Sequence, residues 1–326
     1  MSDVPRPVPG PGDALVKVAG CGFCHTDLHY LDHGVPTAKP PPLILGHEIS
    51  GVVEELGAGD TSRTVGDRVL VPAVLPCGSC EYCRSGRGNI CPHLRMPGNH
   101  IDGGFAEYVR VPARDLVPLP ADLDLVRSAV IADALTTPYH AVVHRARVRS
   151  GDWVVVVGCG GVGINAVQFA VAAGANVIAV DLRAEKREAA QRLGACETFD
   201  PGELPDLGRE VRKRSGGGAD VALEVVGKPE TVTLALSTLR RGGRLCVVGY
   251  SDSVVPIPLN RLMFFEYEVV GSLGCRPVDY PRVIEMVRRR KVHLDEVVTA
   301  VRPLDHIEEA AEDLRNGKGF RTVLVP

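Results

Sequence analysis

Six consecutive residues near the start of the chain carry an unusual density of reactive groups. The segment from Cys24 to His29 (CHTDLH) holds a thiol, two imidazoles, a hydroxyl and a carboxylate. Neither a helical nor an alternating apolar pattern explains this composition. A thiolate can bind zinc, a nearby carboxylate can orient a ligand, and a hydroxyl with an imidazole can pass a proton. The segment is therefore a candidate metal site.

A second histidine-containing segment extends this candidate. His47 and Glu48 follow Gly46, and an imidazole beside the thiol of Cys24 would supply the nitrogen and sulfur ligands that zinc prefers. A catalytic zinc needs three protein ligands and one open position. The candidates for the third ligand are Glu48, Cys159 and Asp133. Cys159 lies within a glycine-rich loop and is better explained by packing.

Four cysteines form a separate cluster, the zinc lobe of residues 77–91. They have the spacing C-x2-C-x2-C-x7-C and are Cys77, Cys80, Cys83 and Cys91. Four thiolates close a tetrahedral zinc site without an open position, so such a site is structural. Two disulfides or free buried thiols are the alternatives, and the tight spacing in a reducing compartment favours zinc.

A glycine-rich segment predicts a dinucleotide site. The pattern G-x-G-x-x-G at 158–163 follows a predicted strand (Trp153 to Val157) and opens a predicted helix (Val162 to Ala173), the context that the pattern requires. Asp181 ends the next predicted strand, where a carboxylate accepts hydrogen bonds from a ribose diol and repels a 2′-phosphate. NAD is therefore favoured over NADP, although the nearby Arg183 would weaken the preference. The predicted cofactor contacts here are Gly158, Gly160, Gly161, Val162, Gly163, Asp181 and Arg183. The alternative is a glycine turn with a surface Asp.

Composition limits the classes of function. A length of 326 residues suggests two domains, and 45% apolar with 24% charged residues is an ordinary globular balance. A formal net charge of -3 argues against a general nucleic-acid binder. We see no apolar run that would span a membrane and no secretory signal, so no membrane association and a cytoplasmic location are expected.

The elements that must position these residues change in character along the chain. Short predicted strands with Gly and Pro between them, such as Asp13 to Ala19 and Ile49 to Leu56, indicate a β-rich first domain. A helix is predicted from Ile131 to Arg149, with a break or an N-terminal turn at Thr137-Pro138. From Trp153 strands and helices alternate, which predicts an α/β domain with a parallel sheet and helices on both faces.

The order of these four motifs resembles that of the zinc-dependent medium-chain alcohol dehydrogenases, over essentially the whole chain. The resemblance implies a GroES-like β-rich catalytic domain, formed by residues 1–134 and 276–326, and a Rossmann NAD-binding domain, formed by residues 135–275. It also implies two zinc ions per subunit, one catalytic and one structural.

The resemblance implies a role for each matching residue. Cys24 and His47 correspond to two catalytic zinc ligands. Thr26 corresponds to the hydroxyl that takes the alcohol proton, and His29 to the end of the relay that releases it. The remaining implied residues are Asp27 behind the metal, Glu48 as a nearby carboxylate, His25 and Arg321 at the pyrophosphate, and Thr137 beside the nicotinamide.

The chain departs from the family pattern at two places. The family usually has one or two further strands before the Pro-rich segment with which this sequence starts, so we expect an incomplete barrel edge or a shortened sequence. Asp133 occupies the position where the family usually has a cysteine as the third zinc ligand. A carboxylate can bind zinc, so we expect Asp133 to be a ligand. The alternative is that Asp133 caps the helix through Tyr139.

A narrower, local resemblance concerns the substrate. Segments 96–99, 103–106 and 132–139 are similar to those of 6-hydroxycyclohex-1-ene-1-carbonyl-CoA dehydrogenases, which implies a cyclic, allylic secondary alcohol carried as a coenzyme A thioester. The alternatives are a general dehydrogenase of small primary or secondary alcohols, a 1,4-reductase of enoyl thioesters or enals, and a zinc- and nucleotide-binding regulator. Pairing through Glu268 to Ser272 would give a homodimer or homotetramer.

Overall fold

The structure, a computed structural model, describes residues 2–59 and 62–326. It divides into two compact units. Unit 1 comprises Met1–Thr136 and Gly274–Pro326, and unit 2 comprises Thr137–Leu273. These limits lie within two residues of the domain limits expected from the sequence.

The strands and helices are bounded as follows. The strands are β1 (Asp13–Phe23), β2 (Glu48–Leu56), β3 (Arg68–Val71), β4 (Tyr108–Pro112), β5 (Val117–Pro118), β6 (Trp153–Val157), β7 (Asn176–Val180), β8 (Glu197–Phe199), β9 (Ala219–Glu224), β10 (Leu239–Val247), β11 (Glu268–Gly271), β12 (Val298–Pro303) and β13 (Arg321–Val325). The α-helices are α1 (His25–Asp32), α2 (Glu81–Arg84), α3 (Thr136–Tyr139), α4 (Gly163–Ala172), α5 (Ala184–Arg192), α6 (Leu207–Ser215), α7 (Pro229–Thr238), α8 (Leu259–Phe264), α9 (Tyr280–Arg288) and α10 (Ile307–Arg315).

Unit 1 is built on a largely antiparallel sheet. Its strand order is β12-β13-β1-β2-β3-β5, and β4 also pairs with β1. Alternation along β1 buries Ala14, Val16 and Val18 against residues of β2, β3 and β4, as the period of two predicts. β13, from the end of the chain, pairs with the last residues of β1. The C-terminal segment therefore contributes directly to the sheet that carries Cys24.

Unit 2 contains a six-stranded parallel sheet in the order β11-β10-β9-β6-β7-β8. Four consecutive residues are buried in each of β6 and β7, so both faces of these strands are covered, which is typical of parallel strands. The chain runs outward from β6 to β8 and then returns to β9 on the other side of β6. Ligands of such sheets bind at the carboxyl ends of the strands where this reversal occurs.

One predicted helix is wrong in its extent. The segment expected to be helical from Ile131 to Arg149 consists of a 3-10 turn (Arg127–Ala132), a break at Asp133, α3, and a π-helical stretch (His140–Arg145). Apolar periodicity did not show the break, because residues on both sides of it are buried. The break changes the direction in which Asp133 projects.

No helix in residues 2–59 or 62–326 combines the length and the apolar character needed to cross a membrane.

Candidate active site and cofactor site

Two antiparallel strands bring the first two predicted zinc ligands together. Cys24 follows the end of β1, and His47 precedes the start of β2. Gly22 pairs with Glu48 in the β1–β2 register, which places the end of one strand beside the start of the other. A Cβ atom on Gly22 would lie 2.0 Å from Oε2 of Glu48, so only glycine leaves room for this buried carboxylate.

Asp133 reaches the same place from the break in the helical segment. Its backbone leaves helical geometry with φ −140° and ψ −56°. Oδ2 of Asp133 lies 3.6 Å from Nε2 of His47 and 4.0 Å from Sγ of Cys24. The helix that Asp133 was alternatively expected to cap begins only at Thr136. The position of the carboxylate therefore favours a role in the cluster over a capping role.

The donor atoms of this cluster fit a zinc ion. Cys24, His47, Glu48 and Asp133 each offer one ligand atom, and these atoms all lie within 4.8 Å of one another. Both ring nitrogens of His47 are buried and have no hydrogen-bond partner among the described residues. Such atoms are rare unless an ion or a water satisfies them. A tetrahedral zinc with nitrogen, oxygen and sulfur ligands separates its donors by about 3.3–3.7 Å, close to the separations in this cluster.

Asp27 supports the two ligand-bearing segments from behind. Its Oδ2 accepts a hydrogen bond from the backbone N–H of Cys24 at 2.9 Å, and its Oδ1 accepts one from Gly46 at 3.3 Å. Oδ1 also lies 3.6 Å from Nδ1 of His47. Burial alone would lower the pKa of His47, but the carboxylates of Asp27 and Asp133 outweigh burial and raise it well above its usual value. Asp27 thus orients both segments and the imidazole.

Glu48 is engaged with other partners. Its Oε1 accepts a hydrogen bond from the N–H of Ala134 at 3.1 Å and lies 2.9 Å from Nη2 of Arg321. Burial raises the pKa of Glu48 to about 7, and the guanidinium of Arg321 opposes this shift. These contacts engage Oε1, whereas Oε2 of Glu48 is buried and has no hydrogen-bond partner among the described residues, so Glu48 remains a candidate zinc ligand beside Asp133. Arg321, implied by resemblance as a pyrophosphate contact, is 2% exposed and forms this ion pair instead of lying free at the surface.

The predicted proton-relay residues lie on α1. Oγ1 of Thr26 is 3.7 Å from Sγ of Cys24, beside the zinc cluster. His29 lies three residues further along the same helix, so the two side chains occupy neighbouring positions on one face. Burial, together with the nearby His33, lowers the pKa of His29 and favours the neutral imidazole. His25, the first residue of α1, is exposed.

The four cysteines of the zinc lobe converge around α2. The sulfur of Cys80 lies 3.4 Å from that of Cys83 and 3.6 Å from that of Cys91, and the sulfur of Cys77 lies 3.8 Å from that of Cys83. These distances exceed the S–S bond length of about 2.05 Å, and all four thiols are free. Hydrogen bonds from the backbone of Ser79 and Cys80 lower the pKa of Cys77 to about 5. In the same cluster, burial and the neighbouring thiols raise the pKa of Cys83 to about 12. The convergence of the four sulfurs, not their pKa values, fits a structural zinc.

The glycine-rich loop connects β6 to α4 at the carboxyl edge of the parallel sheet. Gly158 has φ +92°, and a Cβ atom on Gly163 would lie 1.8 Å from the carbonyl oxygen of Gly158. A Cβ atom on Gly160 would meet nothing within 4 Å. The first and third glycines are therefore needed for the turn and its packing, whereas Gly160 borders open space that a pyrophosphate can occupy.

Asp181 lies directly beside this loop. Its Oδ2 accepts a hydrogen bond from the N–H of Cys159 at 2.8 Å, and its Oδ1 accepts one from the N–H of Arg183 at 2.9 Å. The side chain of Arg183 lies 3.7 Å from Glu185, which partly neutralises it. Cys159 itself is buried with its sulfur against the carbonyl of Val180, as expected for packing.

Motif reasoning missed two features of these sites. Lys186 is buried, and burial lowers its pKa while the nearby Asp181 carboxylate opposes the shift. A lysine in the first turn of the helix after Asp181 was the available signal in the sequence. The pairing of Glu48 with Arg321 had no such signal, because the register of β1 with β2 and β13 creates it. Thr137 lies in α3 within unit 2 and is buried.

Comparison with known families assigns both units. Residues 10–121 match the alcohol dehydrogenase GroES-like domain, and residues 161–289 match the zinc-binding dehydrogenase domain. An alcohol dehydrogenase of Geobacillus stearothermophilus is 35% identical over 319 residues, covering 98% of this chain and 93% of the relative. The chain belongs to the zinc-dependent medium-chain alcohol dehydrogenase family. It is therefore an oxidoreductase, and the α/β fold with GroES-like and Rossmann parts is confirmed.

Further similarities extend over the full length. A sorbitol dehydrogenase of Halalkalibacterium halodurans is 32% identical and covers 100% of this chain and 95% of the relative. A solved structure described as an NAD-dependent alcohol dehydrogenase superposes with a TM-score of 0.92 at 31% identity, covering 100% of this chain and 95% of that one. Zinc and a nicotinamide dinucleotide, the cofactors predicted from the sequence, are those of this dehydrogenase family.

Proposed function

We propose that this protein interconverts a secondary alcohol and a ketone by hydride transfer with NAD, at a zinc held by Cys24, His47 and Asp133. The observation that carries the proposal is the buried imidazole of His47, whose ring nitrogens have no hydrogen-bond partner among the described residues. The thiol of Cys24 and the carboxylates of Glu48 and Asp133 lie within 4.8 Å of it. The three proposed ligands leave one position for substrate. The cysteines of the zinc lobe would hold the second, structural ion.

The chemistry divides between the bound groups and the chain. When bound, zinc lowers the pKa of an alcohol and NAD accepts the hydride. Oγ1 of Thr26, next to Cys24, accepts the alcohol proton, and the neutral imidazole of His29 passes it to solvent. Asp27 holds Cys24 and His47 in place throughout.

Asp133 sets the electronic character of the site. A carboxylate is a harder and weaker electron donor than the thiolate usually found at this position, so zinc held here is a harder Lewis acid. Such an ion favours oxygen ligands, including the substrate hydroxyl.

The cofactor preference follows from Asp181. Its carboxylate stands at the end of β7 beside the glycine loop, where it would face the adenosine ribose. A 2′-phosphate would be repelled by this charge. Lys186 lies close enough to Asp181 for their charges to interact and would join it at the ribose.

The substrate class has two candidates. The names of the relatives, alcohol and sorbitol dehydrogenases, favour small alcohols or polyols. The local resemblance of segments 96–99, 103–106 and 132–139 favours a cyclic, allylic alcohol carried on coenzyme A. Both candidates are alcohols oxidised at one carbon.

The deciding experiment is an assay of NADH formation by the zinc-loaded protein. The panel contains polyols, linear and cyclic secondary alcohols, primary alcohols and a cyclic hydroxyacyl-CoA, each tested with NAD and with NADP. We expect turnover of secondary alcohols with NAD. No turnover of any alcohol, despite bound zinc and NAD, would support a binding or regulatory role instead. Reduction of an enal or enoyl thioester at the carbon–carbon bond would support the 1,4-reductase alternative.

We also infer self-association and a reducing location. β11 pairs with β10 on one side only among the described strands, and the residues around it expose Leu259, Met263, Phe264 and Leu273. A second copy pairing along β11 would cover this edge and give a dimer or a pair of dimers. All ten cysteines are free, which fits the cytoplasm.

A further inference from the structure

Two polar side chains interrupt the otherwise apolar helix α4 behind the glycine-rich loop. Asn165 is 0% exposed and Gln168 is 3% exposed. Nδ2 of Asn165 donates a hydrogen bond to the carbonyl oxygen of Gly161 at 2.9 Å, and Nε2 of Gln168 donates one to Oδ1 of Asn165 at 2.9 Å. The two amides thus form a chain that ends on the loop.

The loop carbonyl determines how both amides are oriented. A backbone carbonyl can only accept, so the amide nitrogen of Asn165 must face Gly161. The oxygen of Asn165 then faces Gln168, which must present its own nitrogen. The hydrogen bond from Gln168 therefore stabilises this orientation of the Asn165 amide. Asn165 in turn holds the carbonyl of Gly161 in its observed direction.

Helix stability alone does not account for this arrangement. Asparagine is a poor helix former, and a side chain that bonds the carbonyl four residues earlier tends to weaken or bend a helix. Burying two amides also costs free energy unless they are fully bonded. The neighbouring Ile164 and Val167 show that this helix accommodates buried aliphatic residues. The two buried amides therefore indicate a function at the glycine-rich loop, to which they are hydrogen-bonded.

The peptide unit after Gly161 connects the pair to the cofactor site. A trans peptide is planar, with its C=O and N–H pointing in opposite directions. Holding the carbonyl of Gly161 toward Asn165 therefore turns the N–H of Val162 away from the helix core. Backbone N–H groups at a helix start are the donors that bind phosphate oxygens.

We propose that Asn165 and Gln168 are positioning residues for the dinucleotide, because they set the orientation of the Gly161–Val162 peptide. This inference rests on the proposed function, in which the loop at 158–163 binds the NAD pyrophosphate. Neither side chain touches the reacting atoms. Their effect is confined to cofactor affinity.

The test compares NADH binding by the zinc-loaded protein and its variants, followed by NADH fluorescence. Asn165→Leu removes the hydrogen bonds of Asn165 with Gly161 and with Gln168. Asn165→Asp retains the acceptor for Gln168 but loses the donor to Gly161, and Gln168→Leu removes the hydrogen bond that Gln168 donates to Asn165. The matched control is Thr238→Val, which removes a buried hydrogen bond from Thr238 to the Ala235 carbonyl in α7 of the same unit.

We expect the Kd for NADH to rise about tenfold in Asn165→Leu and Asn165→Asp, and less in Gln168→Leu, since one hydrogen bond changes binding by up to about one decade. The KM for NAD should rise while kcat and zinc content stay near normal. The double variant Asn165→Leu with Gln168→Leu should bind no more weakly than Asn165→Leu, because the two residues act in series.

The control separates positioning from general stability. Thr238→Val should lower the melting temperature without changing the Kd for NADH. If the Asn165 and Gln168 variants change that Kd no more than Thr238→Val does, the inference is overturned. Should Asn165→Leu fail to fold, Gln168→Leu supplies the same comparison. Absence of NADH binding by the unchanged protein would overturn the proposed function, and this inference with it.

Discussion

Asp133 is the residue that most distinguishes this zinc cluster. It stands where the family resemblance leads to a cysteine, and its carboxylate lies 3.6 Å from Nε2 of His47. Glu48 is the other carboxylate in reach, and Arg321 with the N–H of Ala134 engages its Oε1 but not its buried Oε2. We propose Asp133 as the third ligand because it stands where the family resemblance leads to a cysteine ligand.

Removing the Asp133 carboxylate should empty the catalytic zinc site. In Asp133→Ala we expect the zinc content to fall from two ions per chain to one, and kcat/KM for alcohol oxidation to fall by more than about 100-fold. Asp133→Cys is the matched control, because a thiolate also binds zinc and should retain both ions. Metal analysis by mass spectrometry, with the NADH assay, measures both effects. Two ions and a normal rate in Asp133→Ala would exclude Asp133 as a ligand.

His29 should control the dependence of the rate on pH. Burial and His33 lower its pKa below the usual 6.5, so the ring is neutral at pH 7 and can accept a proton. The rate of oxidation should decline as the pH falls through this lowered pKa, because the protonated ring cannot accept. His29→Asn should lower kcat at pH 7 by about 100-fold, a typical contribution of proton transfer, and added imidazole should restore part of it. An unchanged kcat and pH profile would remove His29 from the relay.

Glu48 should contribute strongly to the stability of the folded protein through its ion pair with Arg321. Glu48 and Arg321 are both almost fully buried, and removing one member of such a pair leaves an uncompensated charge. We expect Glu48→Gln to lower the free energy of unfolding by about 3–5 kcal/mol, measured by urea unfolding of the zinc-loaded protein. Asp32→Asn breaks the partly exposed pair with Arg315 and should cost less than about 1 kcal/mol. If the two substitutions lowered the free energy of unfolding equally, burial would not make the Glu48–Arg321 pair more important than the partly exposed pair.

At the scale of elements, the zinc lobe is a short segment that cannot form a core of its own. α2 has four residues and none of them is buried, so the lobe depends on its four thiols and on contacts such as that of Gly88 with Pro277. A structural zinc contributes folding free energy directly in segments of this kind.

Removing a cysteine of the zinc lobe should therefore lower the thermal stability of the protein more than it impairs the catalytic zinc site. Cys91→Ala should lose one zinc ion per chain and lower the melting temperature by several degrees, while the remaining ion stays with the catalytic cluster. Cys196→Ala is the control, because Cys196 is exposed and lies outside both clusters. Metal analysis and thermal unfolding measure the outcome. If Cys91→Ala keeps two ions and its melting temperature, the cysteines do not hold zinc.

At the scale of the whole molecule, we propose self-association along β11, whose outer edge pairs with no other strand of the described residues. Val269 in this strand is 38% exposed, and a lysine there would place charges against each other across a two-fold axis. We expect the unchanged protein to have the mass of a dimer or tetramer in light scattering, and Val269→Lys to shift the mass toward the monomer.

Val301→Lys provides the matched control for this prediction. Val301 is 45% exposed on β12, a strand at the edge of the other sheet. Its substitution should leave the mass unchanged. A monomeric unchanged protein, or equal effects of both substitutions, would contradict association through β11.

Local patterns in the sequence were sufficient to predict much of this fold. β6 (Trp153–Val157) has the predicted bounds, because buried strands show as apolar β-branched runs between turn residues. The cysteine spacing and the glycine pattern are also local, since the ligands or loop residues lie within a few positions of one another. The family could be inferred from their order along the chain.

Contacts between residues far apart in the sequence could not be predicted from local patterns. The helix predicted from Ile131 to Arg149 is broken at Asp133, and the break brings its carboxylate to Cys24, 109 positions earlier. The pairing of Glu48 with Arg321 requires β1 to lie between β2 and β13, which no short pattern encodes. Residue types and spacing thus determine which chemical groups are available. Strand register and the break in the helical segment determine which of these groups meet, because both depend on how the whole sheet assembles.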